Sequence, residues 1–147
     1  LFGSKEGVAV TLHEQTMDGF SAEFQQRLVG CETTYARLRV FAELVFELTE
    51  KDPTMMEYLL FMRHVDFMEG SPPVCLTEPF QLVRQIITEG MERGEVRPGD
   101  YFVSAVSYTG VILRAAQLHL QCVLPKPLTQ LQEEFIGNAW RAIRAEN

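Results

Sequence analysis

Basic residues are the minority in this 147-residue chain: 13 Lys and Arg stand against 20 Asp and Glu, for a formal net charge of −7. A free-standing nucleic-acid binder carries the opposite balance, so this stretch taken alone does not grip a phosphate backbone. Cysteine is scarce. Cys31, Cys75 and Cys122 fit neither a zinc spacing nor a disulfide framework, and read as small reduced apolar residues of a cytoplasmic protein. No signal peptide is visible. The longest uncharged run, residues 101–113, is too short to span a bilayer, so no membrane partner is expected. A Gly-rich phosphate loop is missing, and the glycines are scattered where helices end. Period-two alternation is nearly absent, which leaves little room for strands. Repeats and low-complexity tracts are missing too.

What is present is a chain with 46% hydrophobic and 22% charged residues, the composition of a globular domain with a core. Apolar residues recur at spacings of three and four, and six helices are predicted. The first starts at Ser4, an N-cap with Glu6 in the first turn, and ends near Gly30. It carries Val8, Leu12, Phe20, Phe24 and Leu28 around a polar middle of His13, Glu14 and Gln15, as a partly exposed connecting helix would. The second runs from Thr33 or Thr34 to Glu50 with two apolar faces. One is Leu38, Phe41, Ala42, Val45 and Phe46; the other is Val40, Leu44 and Leu48. Asp52-Pro53 restarts the chain as N-cap and first helical residue of a third helix reaching about Glu69, and Gly70-Ser71-Pro72-Pro73 breaks it. Thr77 caps a fourth, with Phe80, Val83, Ile86, Ile87 and Met91, stopping at Gly94. Pro98-Gly99 turns the chain and Asp100 caps a fifth helix, apolar almost all round, reaching about Val123 before Pro125 and Pro127. The sixth covers about 128–145 with one apolar stripe, Leu131, Phe135, Ile136, Ala139, Trp140 and Ile143.

The fold class is therefore all-α. The last two helices carry more apolar surface than a lone six-helix domain needs. Either they pack only within the chain, or they build a four-helix bundle with a second copy; the surplus points to the homodimer.

Catalytic signals are missing. His13, His64 and His119 lie on different helices without metal-ligand spacing. His64 and Asp66, two apart, do not face each other on a helix. Glu133-Glu134 reads as a solvated face, and no Ser or Cys sits in a nucleophile elbow. No enzyme activity, metal or cofactor is expected. The positive signal is Met and aromatic density in helices two to five: Phe41, Phe46, Tyr58, Phe61, Met62, Phe67, Phe80, Tyr101, Phe102 and Tyr108. These residues form ordinary core or the wall of a ligand cavity between helices. Tyr58, His64, Tyr108, Thr109 and Arg114 are the polar groups available to orient a ligand, and Arg114 either pairs with a carboxylate or reaches the surface.

Three stretches carry a family resemblance. The opening Leu-Phe-Gly-Ser-Lys-Glu-Gly (1–7), followed by Val8 and Leu12, resembles the Phe-x-Ser-Lys-Glu run that closes the DNA-binding domain of TetR/AcrR transcriptional regulators. Gly-Glu-Val-Arg-Pro-Gly-Asp (94–100) resembles the turn between the seventh and eighth helices of that family, and Asn-Ala-Trp-Arg-Ala-Ile (138–143) its Trp-containing last helix. The resemblance spans the chain as the fourth to ninth helices of the family fold. It implies residues 1–30 as the end of a DNA-binding domain plus connecting helix, and 31–147 as a ligand-binding and dimerisation domain. The missing initiator Met is then expected: the chain is the back portion of a longer protein, and the helix-turn-helix lies ahead of it.

On that resemblance a small hydrophobic or aromatic effector lies among Phe41, Val45, Tyr58, Phe61, Met62, Val65, Phe80, Val83, Ile87, Tyr108 and Ile112. Lys5 meets a DNA phosphate beside the free N–H groups of a helix start. Leu113, Ala116, Leu120, Leu131, Phe135, Ala139, Trp140 and Ile143 form the homodimer interface. The implied activity is ligand-controlled binding of operator DNA, as a repressor. The alternative is a small-molecule binding module or carrier of the same fold without DNA function; a helical enzyme and a filled dimerisation module are the remaining rivals.

Overall fold

The computed structural model describes residues 5–61 and 78–146, with side chains at 15–60 and 79–146. Six helices lie among the described residues: α1 (Lys5–Leu28), α2 (Thr34–Lys51), α3 (Pro53–Phe61), α4 (Glu78–Glu92), α5 (Tyr101–Leu120) and α6 (Leu128–Ile143). The protein is all-α there, with one isolated antiparallel bridge between Val96 and Arg144. No helix among the described residues is long and apolar enough to cross a membrane. The expected cap Ser4, the third helix beyond Phe61 and the cap Thr77 lie outside the described residues.

Helix ends follow local chemistry. Thr33 caps α2, its hydroxyl accepting from the Ala36 N–H at 3.1 Å. The Asp52 carboxylate accepts from the Met55 N–H at 3.2 Å and starts α3, and Asp100 accepts from the Phe102 N–H at 2.8 Å and starts α5. At the end of α4, Gly94 takes a left-handed φ of 77°. The Glu95 N–H then donates to the Gly90 carbonyl and the Gly94 N–H to the Met91 carbonyl, a Schellman closure. The same closure ends α5 at Leu120, short of the expected Val123. There Cys122 holds the left-handed position at φ 59°, while Val123 and Cys122 donate to the Leu118 and His119 carbonyls.

α2 is the hub, touching each of the other five helices, which accounts for its two apolar faces. Leu38, Phe41, Ala42, Leu44, Val45 and Phe46 are all buried. The buried Thr49 hydroxyl donates to the Val45 carbonyl at 2.7 Å, so it is not stranded in the core. α5 and α6 share the broadest contact in the fold. Ala105, Tyr108, Ile112, Ala115 and Ala116 of α5 bury against the rest of the chain, and Ile136, Ala139 and Ile143 do so from α6. The opposite side of α5 leaves Phe102, Val103 and Val106 exposed. Arg39 ties α2 to α6, donating from both terminal nitrogens to the two oxygens of Glu133 and from Nη1 to Tyr35 Oη. Beside it the Tyr35 and Trp140 rings meet edge-on at 5.6 Å.

Candidate ligand-binding site

α1 lies across α2 and α4, and a cavity of about 50 Å³ sits beneath it. α1 contributes Thr16, Met17 and Phe20; α2 contributes Phe41, Val45 and Leu48. Met56, Leu59 and Leu60 come from α3, Pro79 and Phe80 from α4, and Leu113 from α5. Among these described residues the Thr16 hydroxyl is the sole side-chain polar group, and no charged group lines the space. Three aromatic rings, Phe20, Phe41 and Phe80, line it, and a fourth, Phe24, packs against two of them. Phe41 lies within 5.8–6.0 Å of Phe20, Phe24 and Phe80, centroid to centroid, the range of edge and tilted ring packing. Such a wall suits an uncharged apolar group.

Outside this cavity, between α1 and α2, runs an open groove of about 490 Å³. Gln15, Thr16, Gly19, Phe20, Glu23 and Arg27 line it from α1, and Leu44, Glu47, Leu48 and Lys51 from α2. Arg27 bridges the two helices, donating to Glu23 at 2.8 Å and to Glu47. The bond to Glu47 and then that to Glu23 push the Arg27 pKa up. Thr16, Phe20 and Leu48 belong to both groove and cavity.

Of the residues expected around an effector, Phe41, Val45 and Phe80 line the cavity. Val83, Ile87, Tyr108 and Ile112 are buried in solid core beside it, and Tyr58 is half-buried on α3 without lining it. Burial pushes the phenol pKa up at both Tyr108 and Tyr58. Met62 and Val65, with His64 and Asp66, lie outside the described residues, as do the side chains of Phe61 and Lys5. The Thr109 hydroxyl donates to the Ala105 carbonyl at 2.8 Å, and Arg114 reaches the surface, where it donates to Gln117. Neither lines the cavity.

Of the residues expected at a dimer interface, Leu113 lines the cavity. Ala116, Ala139 and Ile143 are buried within the chain. Trp140 packs on Tyr35. Leu120, Leu131 and Phe135 are half-buried. Met17, Leu48, Met56, Leu59, Leu60 and Pro79 join the wall without having been singled out for it. For Met17 the signal was its place three and seven residues before Phe20 and Phe24 on one helical stripe.

No family model matches the chain, and no curated protein matches it. A solved structure from Rhodococcus sp. RHA1, described as that of a protein with unknown function, is similar in fold. The TM-score is 0.76 at 19% identity, over 97% of this chain and 74% of that one. That likeness shows a shared all-helical fold.

Proposed function

We propose that this chain is the effector-binding and dimerisation part of a TetR-type transcriptional regulator. Its effector is a small hydrophobic or aromatic molecule bound beneath α1, and it controls operator DNA binding by a helix-turn-helix ahead of Leu1. The observation that carries this reading is the cavity's position: one wall is α1 itself, through Thr16, Met17 and Phe20. The opening run Phe2-Gly3-Ser4-Lys5-Glu6, which resembles the junction with a DNA head, leads into that same helix.

At about 50 Å³ the cavity is far below the roughly 300–1,000 Å³ of a drug-sized ligand site. An occupant therefore enlarges it, and the half-buried residues of α1 yield more readily than the fully buried ones of α2. Occupancy and the position of α1 are then linked. The linkage is only as strong as the ligand's preference for one position over the other. A second copy docks on the α5–α6 side, where Phe102, Val103 and Val106 are exposed and Leu131 and Phe135 half-buried.

The test is a genome-wide selection of duplex DNA by the protein with its natural N-terminus, repeated with apolar small molecules. Enrichment of a two-fold-symmetric site, relieved by one of them, is the expected result. Failure to retain any duplex overturns the regulatory reading and leaves a binding module.

A further inference from the structure

We propose that the cavity and the α1–α2 groove are two halves of one site for an amphipathic molecule: an apolar end in the cavity, an uncharged hydrogen-bonding end in the groove. This rests on the ligand-binding part of the function proposed above. It adds where the ligand enters and what chemistry its polar end has.

The partition between the halves is Phe20 and Leu48, which face both spaces and are only half-buried. The inner walls cannot give way as easily: Phe41 and Val45 are 1% and 3% exposed, and dense cores resist displacement. Enlargement therefore runs outward into the groove. Room is ready there, because a Cβ added at Gly19 would meet no atom within 4 Å.

The groove's chemistry selects the polar end. Its charged side chains are two anions, Glu23 and Glu47, and two cations, Arg27 and Lys51, so it favours neither sign. Arg27 is already engaged by both carboxylates. The remaining cation, Lys51, lies four residues after Glu47 on the same face of α2, so a charged headgroup would lose its own water and meet a like charge beside either opposite one. A hydroxyl or amide can instead bond to Gln15 or Thr16 at the mouth of the apolar space.

Calorimetric titration with 1-octanol, octanoate and octylammonium tests this on the wild-type chain and two variants. Gly19→Trp fills the groove from an exposed position, and Leu113→Phe fills the cavity. Should Leu113→Phe not fold, Leu60→Phe fills the same space from α3. The expected result is that octanol binds, that each filling weakens it at least tenfold, and that both charged probes bind at least tenfold more weakly than octanol. If Gly19→Trp leaves octanol binding unchanged, the two-part site is overturned and the cavity alone remains the ligand site. Equal binding of a charged probe overturns the assignment of the polar end. If no probe binds the wild-type chain, the ligand-binding reading fails with it, whatever the DNA selection returns.

Discussion

The Phe20 ring of α1 meets the Phe41 ring of α2 edge-on, with centroids 6.0 Å apart and planes at 72°. Phe41 also meets Phe80 of α4 at 5.8 Å, so one buried ring joins three helices around the candidate site. Truncating it removes the frame on all sides. Phe41→Ala is expected to cost about 3–5 kcal/mol of unfolding free energy, read as a lower denaturant midpoint with little change in slope. Phe20→Ala, at a half-buried position, is expected to cost about half as much.

Gly90 of α4 lies against the start of α2. A Cβ there would stand 2.8 Å from Thr34 Cγ2 and Oγ1 and 2.8 Å from Val96 Cγ2. Those are short, stiff side chains, and both residues are fully buried. Thr34 is also held by its bond to the Glu95 carboxylate. Gly90→Ala should therefore destabilise the fold by roughly 1–3 kcal/mol, although alanine is the better helix former. Thermal unfolding compared with Gly19→Ala, where nothing lies within 4 Å, separates the clash from the propensity gain.

Ser21 of α1 is 4% exposed, and its hydroxyl is buried without a hydrogen-bond partner among the described residues. Ser21→Ala is expected to raise stability by roughly 1 kcal/mol, since the unsatisfied group costs more than its absence. A fall in the melting midpoint would show that the hydroxyl has a partner after all.

The Arg39–Glu133 pair gives an acid-dependent term. Its hydrogen bond to Arg39 holds the Glu133 carboxyl below the usual carboxylate range. A lowered folded-state pKa contributes stability above the unfolded value of about 4.3 and loses it as pH falls through the folded value. Glu133 is 66% exposed, so solvent screening limits the pair to roughly 0.5 kcal/mol. Wild-type and Glu133→Gln proteins are expected to differ by that amount at neutral pH and low salt, and to converge in acid or in 1 M salt.

Much of the architecture was legible in advance because helix boundaries carry local chemistry. Asp52-Pro53, Asp100 and Gly94 each sit where their side-chain or backbone preference placed them. The end of α5 was not legible: its left-handed position falls on Cys122 rather than a glycine, so the prolines beyond it drew the boundary too far along. The site was half legible. Periodicity identifies an apolar face but does not tell whether a void or another side chain lies in front of it. Phe41 and Val83 look alike in sequence, yet one lines the cavity and the other is solid core. Ala116 and Ala139 were expected at a dimer interface, and the structure buries both within one chain, where α5 packs on α6.

The cavity's walls also set an order of events at the ribosome. Phe20 leaves the tunnel long before the rest of its shelter exists: Phe41 follows 21 residues later, Phe80 60 later and Leu113 93 later. At common elongation rates the last interval is roughly 5–20 s. Throughout it, the inner stripe of α1 has only part of its seat. α5 and α6, the last two helices described and joined by a short turn, can pair at once because their contact is local. Of the six helices described, α1 is thus the one that waits for its site to be built around it, and during that wait its Met17–Phe20–Phe24 stripe is only partly covered.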